Sequence, residues 1–330
     1  MTPLLQHFGV TGFRSLRQAE VELGAMNVLV GANGSGKSNL ILALRLLRAW
    51  AAGGAEAFVT TNGGPDALLH GGHRLSPELA LSMTTAGGFS GTLRARAEGS
   101  RGLRFSTEPA EWPEDVRHAL ADIHIFHFKD LLPRRKAVLE APLAQDTRLR
   151  TGGDNLGPCL RWLHDQQPGA YRRLVETIRL VAPFFDDFQF EERGPNLRLR
   201  WREAGLDLVH GPEALSDGTI RFIGLATLLL QPADRLPPLI LLDEPELGLH
   251  PWAVQILAEL IAGAAAHTQV LLSTQSVTLL NAFRLEDAII VERNGSGSVL
   301  RRPDPATLAA WSDESSLGEL WERNLLGGTP

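Results

Sequence analysis

The stretch Gly31-Ala-Asn-Gly-Ser-Gly-Lys37-Ser38 constrains this chain more than any other part of it. It closes a short apolar strand, Met26-Asn-Val-Leu-Val30, and opens a helix that begins Asn39-Leu-Ile-Leu-Ala-Leu. Strand, then G-x-x-x-x-G-K-S, then helix is the full context of a P-loop, and it predicts an α/β fold. The glycines let backbone N–H groups close around phosphate oxygens with no Cβ in the way. The helix that follows aims its partial positive N-terminus at the same anion. Gly31, Asn33, Gly34, Ser35, Gly36 and Asn39 are therefore expected around the phosphates. Lys37 reaches the β- and γ-phosphates, and the Ser38 hydroxyl is a ligand for Mg²⁺. The expected cofactors are ATP and Mg²⁺.

A second segment supports the first. Pro238-Leu-Ile-Leu-Leu-Asp243-Glu244 is an apolar run ending in two adjacent carboxylates, and such a run suits the middle of a parallel sheet. Successive strand residues point to opposite faces, so the two acids have different tasks. Asp243 is expected to hold the metal's hydration shell beside Ser38, as a Walker B acid does. Glu244 is the candidate base that accepts a proton from the attacking water.

The surrounding motifs carry a family resemblance. Leu215-Ser216-Asp217-Gly218 precedes the apolar helix Thr219–Leu230 and resembles the L-S-x-G signature of ABC-type ATPases. That resemblance implies that Ser216 and Gly218 cap the γ-phosphate held by the opposite subunit, so that ATP binding makes a homodimer. Asp243-Glu-Pro-Glu-Leu-Gly-Leu-His250 has the length of a Walker B plus D-loop. Gln269-Val-Leu-Leu-Ser-Thr-Gln275-Ser276 is similar to the strand and switch loop that follow, which implies a catalytic γ-phosphate contact from Gln275. The opening Gly9-Val-Thr-Gly-Phe13-Arg14-Ser15-Leu16 resembles that of RecF and SMC heads, and by that likeness Arg14 is a nucleotide-binding residue. Taken together, the chain resembles the RecF-like ATPases of the AAA_21 group, relatives of SMC, RecF and OLD heads. The resemblance extends to Tyr171–Asp187 and to the tail Leu317-Gly-Glu-Leu-Trp321-Glu-Arg-Asn, so it covers nearly the whole chain.

What it implies is an ABC-type P-loop ATPase head of α/β class. A mixed central sheet carries an antiparallel β lobe and a helical lobe. Residues 1–330 form one such domain, with a P-loop lobe at about 1–130 plus 235–330 and a helical, signature-bearing lobe at about 131–234. Two positions depart from the common ABC pattern. Gln275 stands where transporters carry His, and its amide can donate to a γ-phosphate but cannot titrate. His250 stands where they carry Asp, as a D-loop residue or as a structural histidine, and slow hydrolysis is expected.

Composition narrows the partners. A formal net charge of −6 gives no global attraction to nucleic acid. Arginine clusters exist at Arg94, Arg96, Arg101 and Arg104, at Arg134-Arg-Lys136, and at Arg198, Arg200 and Arg202; solvated strand faces are the simpler reading. A single cysteine, Cys159, excludes an internal disulfide and reads as a small buried residue. His124 and His127 fall on opposite faces of one strand and are poor joint metal ligands. The start lacks a signal-peptide pattern and no apolar run reaches membrane length, so a cytoplasmic protein without a membrane partner is expected.

Other segments read more simply. Residues 79–107 alternate as antiparallel hairpins, 155–182 is helical, and the glycine-rich stretch 53–72 reads as a loop. Lys129-Asp130 falls where a Q-loop-like connector belongs. No sustained heptad repeat marks long coiled-coil arms, and the segment after Gln275 is too short for a nuclease domain of usual size. The reading is an ATP-driven, dimerising head in DNA repair and recombination or in anti-phage defence, with DNA and a separate nuclease or effector protein as candidate partners. The alternatives are a transporter nucleotide-binding subunit and a non-hydrolysing ATP-dependent scaffold.

Overall fold

The computed structural model describes residues 3–100, 102–127, 140–142, 147–295, 297–304 and 316–327. Lys129-Asp130 and Arg134-Arg-Lys136 lie outside these described residues. The chain divides into two units. The first comprises Met1–Ile125, Pro237–Asp243 and Thr268–Pro330; the second comprises Phe126–Leu236 and Glu244–His267.

The first unit is built on two sheets. One is antiparallel, in the order β2-β1-β4-β5-β6, from β1 (Leu5–Phe13), β2 (Leu16–Glu22), β4 (Glu78–Thr85), β5 (Ser90–Ala97) and β6 (Leu103–Glu108). Its strands alternate as the sequence does. Leu79, Leu81 and Met83 of β4 and Leu93 and Ala95 of β5 are buried, and the residues between them are partly solvated. The buried face meets Leu40, Leu44 and Leu47 of α1 (Lys37–Ala51) in one hydrophobic core.

The other sheet runs β15-β14-β3-β13-β12-β7, from β3 (Met26–Val30), β7 (His124–His127), β12 (Leu239–Asp243), β13 (Gln269–Ser273), β14 (Ala288–Asn294) and β15 (Gly297–Arg301). β3 pairs in parallel with both β13 and β14, and β13 with β12. Every residue of β12 and β13 is buried, as a parallel strand covered on both faces requires. Parallel pairing brings three strand ends to one edge of the sheet: Ser273 is in register with Asp243 on one side and with Leu29 on the other. Edges of this kind, at the carboxyl ends of parallel strands, are where α/β proteins place ligands. The two sheets are joined by a polar staple: the buried Gln269 side chain accepts from the Leu5 N–H (3.0 Å) and donates to the carbonyls of Leu5 (2.7 Å) and Gly24 (2.8 Å).

The stretch 53–72 corrects the expectation of a loop. It forms α2 (Ala55–Thr61) and α3 (Gly64–Leu68), because Val59, Leu68 and Leu69 are buried in the core. Its backbone is tied to the β1–β2 turn by Arg14 N–H to Leu68 O (2.8 Å) and His70 N–H to Gly12 O (2.9 Å). A few apolar side chains outweigh the glycines once there is a core to receive them. The unit also holds α4 (Glu114–Ala121), α9 (Val277–Leu280) and α10 (Leu317–Glu322).

The second unit carries β8 (Glu140–Pro142), β9 (Phe185–Arg193), β10 (Asn196–Glu203) and β11 (Val209–His210), all antiparallel around β10. With them are α5 (Leu156–Gln166), α6 (Pro168–Val181), α7 (Asp217–Leu229) and α8 (Pro251–Ala265). Cys159 is buried in α5 as a free thiol. Tyr171 of α6 donates its phenol to Asp187 of β9 (2.7 Å). Burial, reinforced by that carboxylate, pushes the phenol's pKa far up, so it stays a donor.

Candidate functional site

β3 delivers the chain to the phosphate loop, which leads into α1 with Gly36 left-handed at its N-cap and no side chain capping it. The first-turn N–H groups of α1 thus have no capping side chain to compete with an anion. Lys37 is buried; its ammonium donates to the carbonyls of Gly31 (2.5 Å) and Ala32 (3.0 Å), which hold it folded back over the loop. Ser38, the next residue, is exposed. Asn33 accepts from the side-chain amide of Gln275 (2.6 Å). The loop and the switch segment therefore meet directly, within one unit.

Asp243 ends β12 beside Ser273. The hydroxyls of Ser273 and of Ser35 are buried with no hydrogen-bond partner among the described residues. Buried hydroxyls in that state mark a place built for a further polar partner. Oxygen donors only, with a single carboxylate among them, suit Mg²⁺, which takes one or two carboxylates together with phosphate oxygens and water. Ser38 and Asp243 are the residues that would hold it. Among the described residues no cluster of three or more His, Cys, Asp or Glu offers a separate metal cage. Beside the loop lies a cavity of about 460 Å³, lined by Ala32–Ser35 and by Val291–Asn294 at the end of β14. That volume is within the range of small-molecule sites.

Arg14 sits in the β1–β2 turn with a left-handed backbone (φ 47°) and donates its Nε to the Ala67 carbonyl (3.1 Å). Partial burial lowers its pKa from the usual arginine value. Glu244 follows Asp243 with φ 48°, a left-handed conformation uncommon for a residue with a Cβ. It opens the segment of the second unit that runs to His250, and its carbonyl accepts from the Leu247 N–H (3.3 Å).

In the second unit Ser216 is the N-cap of α7, its hydroxyl accepting from the Thr219 N–H (3.1 Å), and it is exposed. Gly218 lies so close to the Gly248 backbone that a Cβ on it would sit 2.4 Å from the Gly248 carbonyl. Arg221 donates to the Leu247 carbonyl (2.6 Å). The L-S-D-G segment and the E-L-G-L-H loop are thus packed together as one surface. His250 is the N-cap of α8, accepting from the Trp252 N–H (3.3 Å). That gives it a structural role.

Three parts of this arrangement escaped sequence reasoning: Ser273, the end of β14 and the Gly218–Gly248 contact. Each depends on a strand neighbour or a loop approach that spacing alone does not reveal. Among the described residues five of the clustered arginines form ion pairs, while Arg101 lies outside them. Arg94 meets Glu78 (3.2 Å) and Glu108 (3.3 Å), and Arg104 meets Glu98. Arg198 meets Glu213 (3.9 Å), Arg200 meets Glu191 (3.5 Å) and Arg202 meets Asp186 (2.5 Å). No helix among the described residues is long and apolar enough to cross a membrane.

Comparison with known proteins gives a concordant picture. The AAA_21 family model, described as "AAA domain, putative AbiEii toxin, Type IV TA system", matches residues 26–161 and 172–281. The fold is similar to an Smc head bound to the C-winged helix domain of ScpA, with 19% identity and a TM-score of 0.67, covering 91% of this chain and 97% of that one. It is also similar to an Smc head with an extended coiled coil, bound to the C-terminal domain of ScpA, from Pyrococcus furiosus (16% identity, TM-score 0.64, 94% and 99% covered). A third likeness is to an SMC head domain from Thermotoga maritima (16% identity, TM-score 0.52, 91% and 99% covered). At these identities the likeness is one of fold: that of an ABC-type P-loop ATPase head. No curated protein matches the sequence.

Proposed function

The chain belongs to the AAA_21 family, and on that premise we propose that it is a slow, Mg²⁺-dependent ATPase whose two copies close around two ATP molecules. The observation that carries this reading is the common sheet edge at which the phosphate loop, Asp243, Ser273 and the Asn33–Gln275 contact gather. The backbone N–H groups of residues 31–38 bind the phosphates, and Lys37 adds a positive charge at the β- and γ-oxygens. Mg²⁺, when bound, neutralises charge on the same oxygens. Gln275 transfers its amide donor from Asn33 to the γ-phosphate. Glu244 orients water for attack on phosphorus and takes its proton, and ADP leaves. Ser216 and Gly218 of one copy cap the γ-phosphate held by the other.

Hydrolysis on this account times the release of the dimer. A RecF-like role in anti-phage defence fits better than one in DNA repair. Arg94, Arg104, Arg198, Arg200 and Arg202 on the strand faces are paired with carboxylates of the same chain, which lessens what they offer to a phosphate backbone. The family description itself points to toxin-type systems. The effector is then a separate protein, and the site of action the cytoplasm.

Glu244→Gln is the test. Losing a positioned base costs ~10²–10⁴-fold in rate, so phosphate release should fall by that much while ATP binding persists. The variant should gather as a dimer in ATP and Mg²⁺, read by light scattering, and return to monomer when nucleotide is removed. Turnover equal to wild type would show that the catalytic carboxylate lies elsewhere. Nucleotide binding without any turnover in the wild type would favour the scaffold reading.

A further inference from the structure

Behind the phosphate loop runs a short polar chain. Asn39 Nδ2 is 2.7 Å from Ser15 Oγ, Ser15 Oγ is 2.7 Å from Ser298 Oγ, and Ser298 Oγ is 2.5 Å from the Ser35 carbonyl oxygen. Chemistry sets the direction of the protons. A carbonyl only accepts, so the Ser298 hydroxyl donates to Ser35; Ser15 Oγ is a second acceptor for that same proton, and the Asn39 amide donates to Ser15. Ser298 is 2% exposed, and its own N–H donates to the Ser15 carbonyl (2.7 Å), which fixes β15 against the Phe13-Arg-Ser-Leu16 turn.

Both ends of this chain are in the phosphate-binding segment, Ser35 before Lys37 and Asn39 after it. Gly36 lies between them with φ 119°, and a Cβ on it would sit 2.3 Å from Ser298 Oγ. Ser298 thus fills the space that a side chain at position 36 would need. In a trans peptide the C=O and the following N–H point in opposite directions. A Ser35 carbonyl held toward Ser298 therefore turns the Gly36 N–H away from it.

We propose that Ser298 is a positioning residue of the nucleotide site: by clamping the Ser35 carbonyl, with Ser15 and Asn39 behind it, it presents the Gly36 N–H to the nucleotide's β-phosphate. The inference rests on the phosphate-loop reading above. It gives a task to the serine of F-R-S-L and to a serine 283 residues further along the chain.

The test uses the full chain, with Ser298→Ala, Ser15→Ala, the double variant and Lys37→Ala, titrated with fluorescent ATP and ADP analogues where circular dichroism shows each to be folded. Ser298→Ala should weaken ATP and ADP alike, by about tenfold, as expected for loss of one buried hydrogen bond. The turnover at saturating ATP should stay within about twofold, the mark of lost uniform binding. The double variant should be no weaker than Ser298→Ala by more than about twofold, because both changes break one chain. If Ser298→Ala fails to fold, Ser298→Cys, a weak donor of similar size, should lose affinity in the same direction, whereas Ser15→Ala leaves the Ser298–Ser35 bond in place. Wild-type affinity in the Ser298 variants, with Lys37→Ala weakened, would overturn the role of Ser298 alone. A fall in turnover with affinity unchanged would overturn it too. Wild-type affinity in Lys37→Ala would overturn the phosphate-loop reading, and this inference with it.

Discussion

Lys37 carries its charge into a buried position, and it is tolerated there because two loop carbonyls, Gly31 and Ala32, receive its protons. On the proposed function the same carbonyls hold the ammonium ready for a phosphate. Lys37→Ala should therefore weaken MgATP about 10- to 100-fold in calorimetric titration, the range expected for losing hydrogen bonds to a charged group. An unchanged affinity would remove the assignment. Asp243 and Glu244 show how adjacent carboxylates diverge. Asp243 is buried at the end of β12, whereas Glu244 turns the chain through a left-handed step. Alternation along a strand predicts that the two acids separate, but it does not predict this turn, which depends on how the following loop must travel.

Among the elements, the tail helix α10 is the one whose sequence signal had no stated purpose. Its N-terminus is a capping box, in which the Ser316 hydroxyl accepts from the Glu319 N–H and the Glu319 carboxylate accepts from the Ser316 N–H. It is attached to the end of α9 through one side chain. Asn281 Oδ1 accepts from the Ser316 hydroxyl (2.8 Å) and from the Gly318 N–H (3.0 Å). α9 begins two residues after Gln275, so this clamp ties the tail helix to the element that follows the switch segment. Asn281→Ala should cost about 1–2 kcal/mol of stability, since it leaves two donors to find other partners. Peptides covering 316–327 should then lose amide-exchange protection while those covering the phosphate loop keep theirs. Equal protection in variant and wild type would show that α10 is held by its apolar face alone. Capping-box spacing is visible in a sequence; the partner Asn281 is not, because the pairing spans 37 residues.

For the whole molecule the question is whether two copies share each ATP. Ser216 is exposed at the N-terminus of α7, and Gly218 and Gly248 pack into one surface beside it. Ser216→Arg should leave ATP affinity of the monomer nearly intact yet block dimerisation and hydrolysis, by adding bulk where a partner's phosphate approaches. Mixing it with Lys37→Ala then discriminates. One composite site of the mixed dimer carries both lesions, and the other pairs an intact loop with an intact signature. Phosphate release should return in part when the two inactive proteins are combined. No recovery despite demonstrated heterodimers would leave either strict coupling of the two sites or action within one chain, and full activity of Ser216→Arg alone would remove the signature role.

The phosphate loop, the apolar strand ending in Asp243, the antiparallel hairpins of 79–107 and the helices of 155–182 were legible from residue order, because each is a local pattern with a period or a turn signal of its own. Family membership was legible for the same reason, as a series of short motifs in a fixed order. What only the tertiary structure decided are the meetings of distant segments. Ser273 lies level with Asp243, β14 walls the loop, Gln275 reaches Asn33, and Ser298 lies behind Gly36. The helices of 53–72 belong with these, since their few buried side chains outweigh their glycines only against the core that β1 and α1 supply. Local propensity is a property of neighbours along the chain. Strand order, register and close backbone approach are set by the packing of the whole, and no window of sequence contains them.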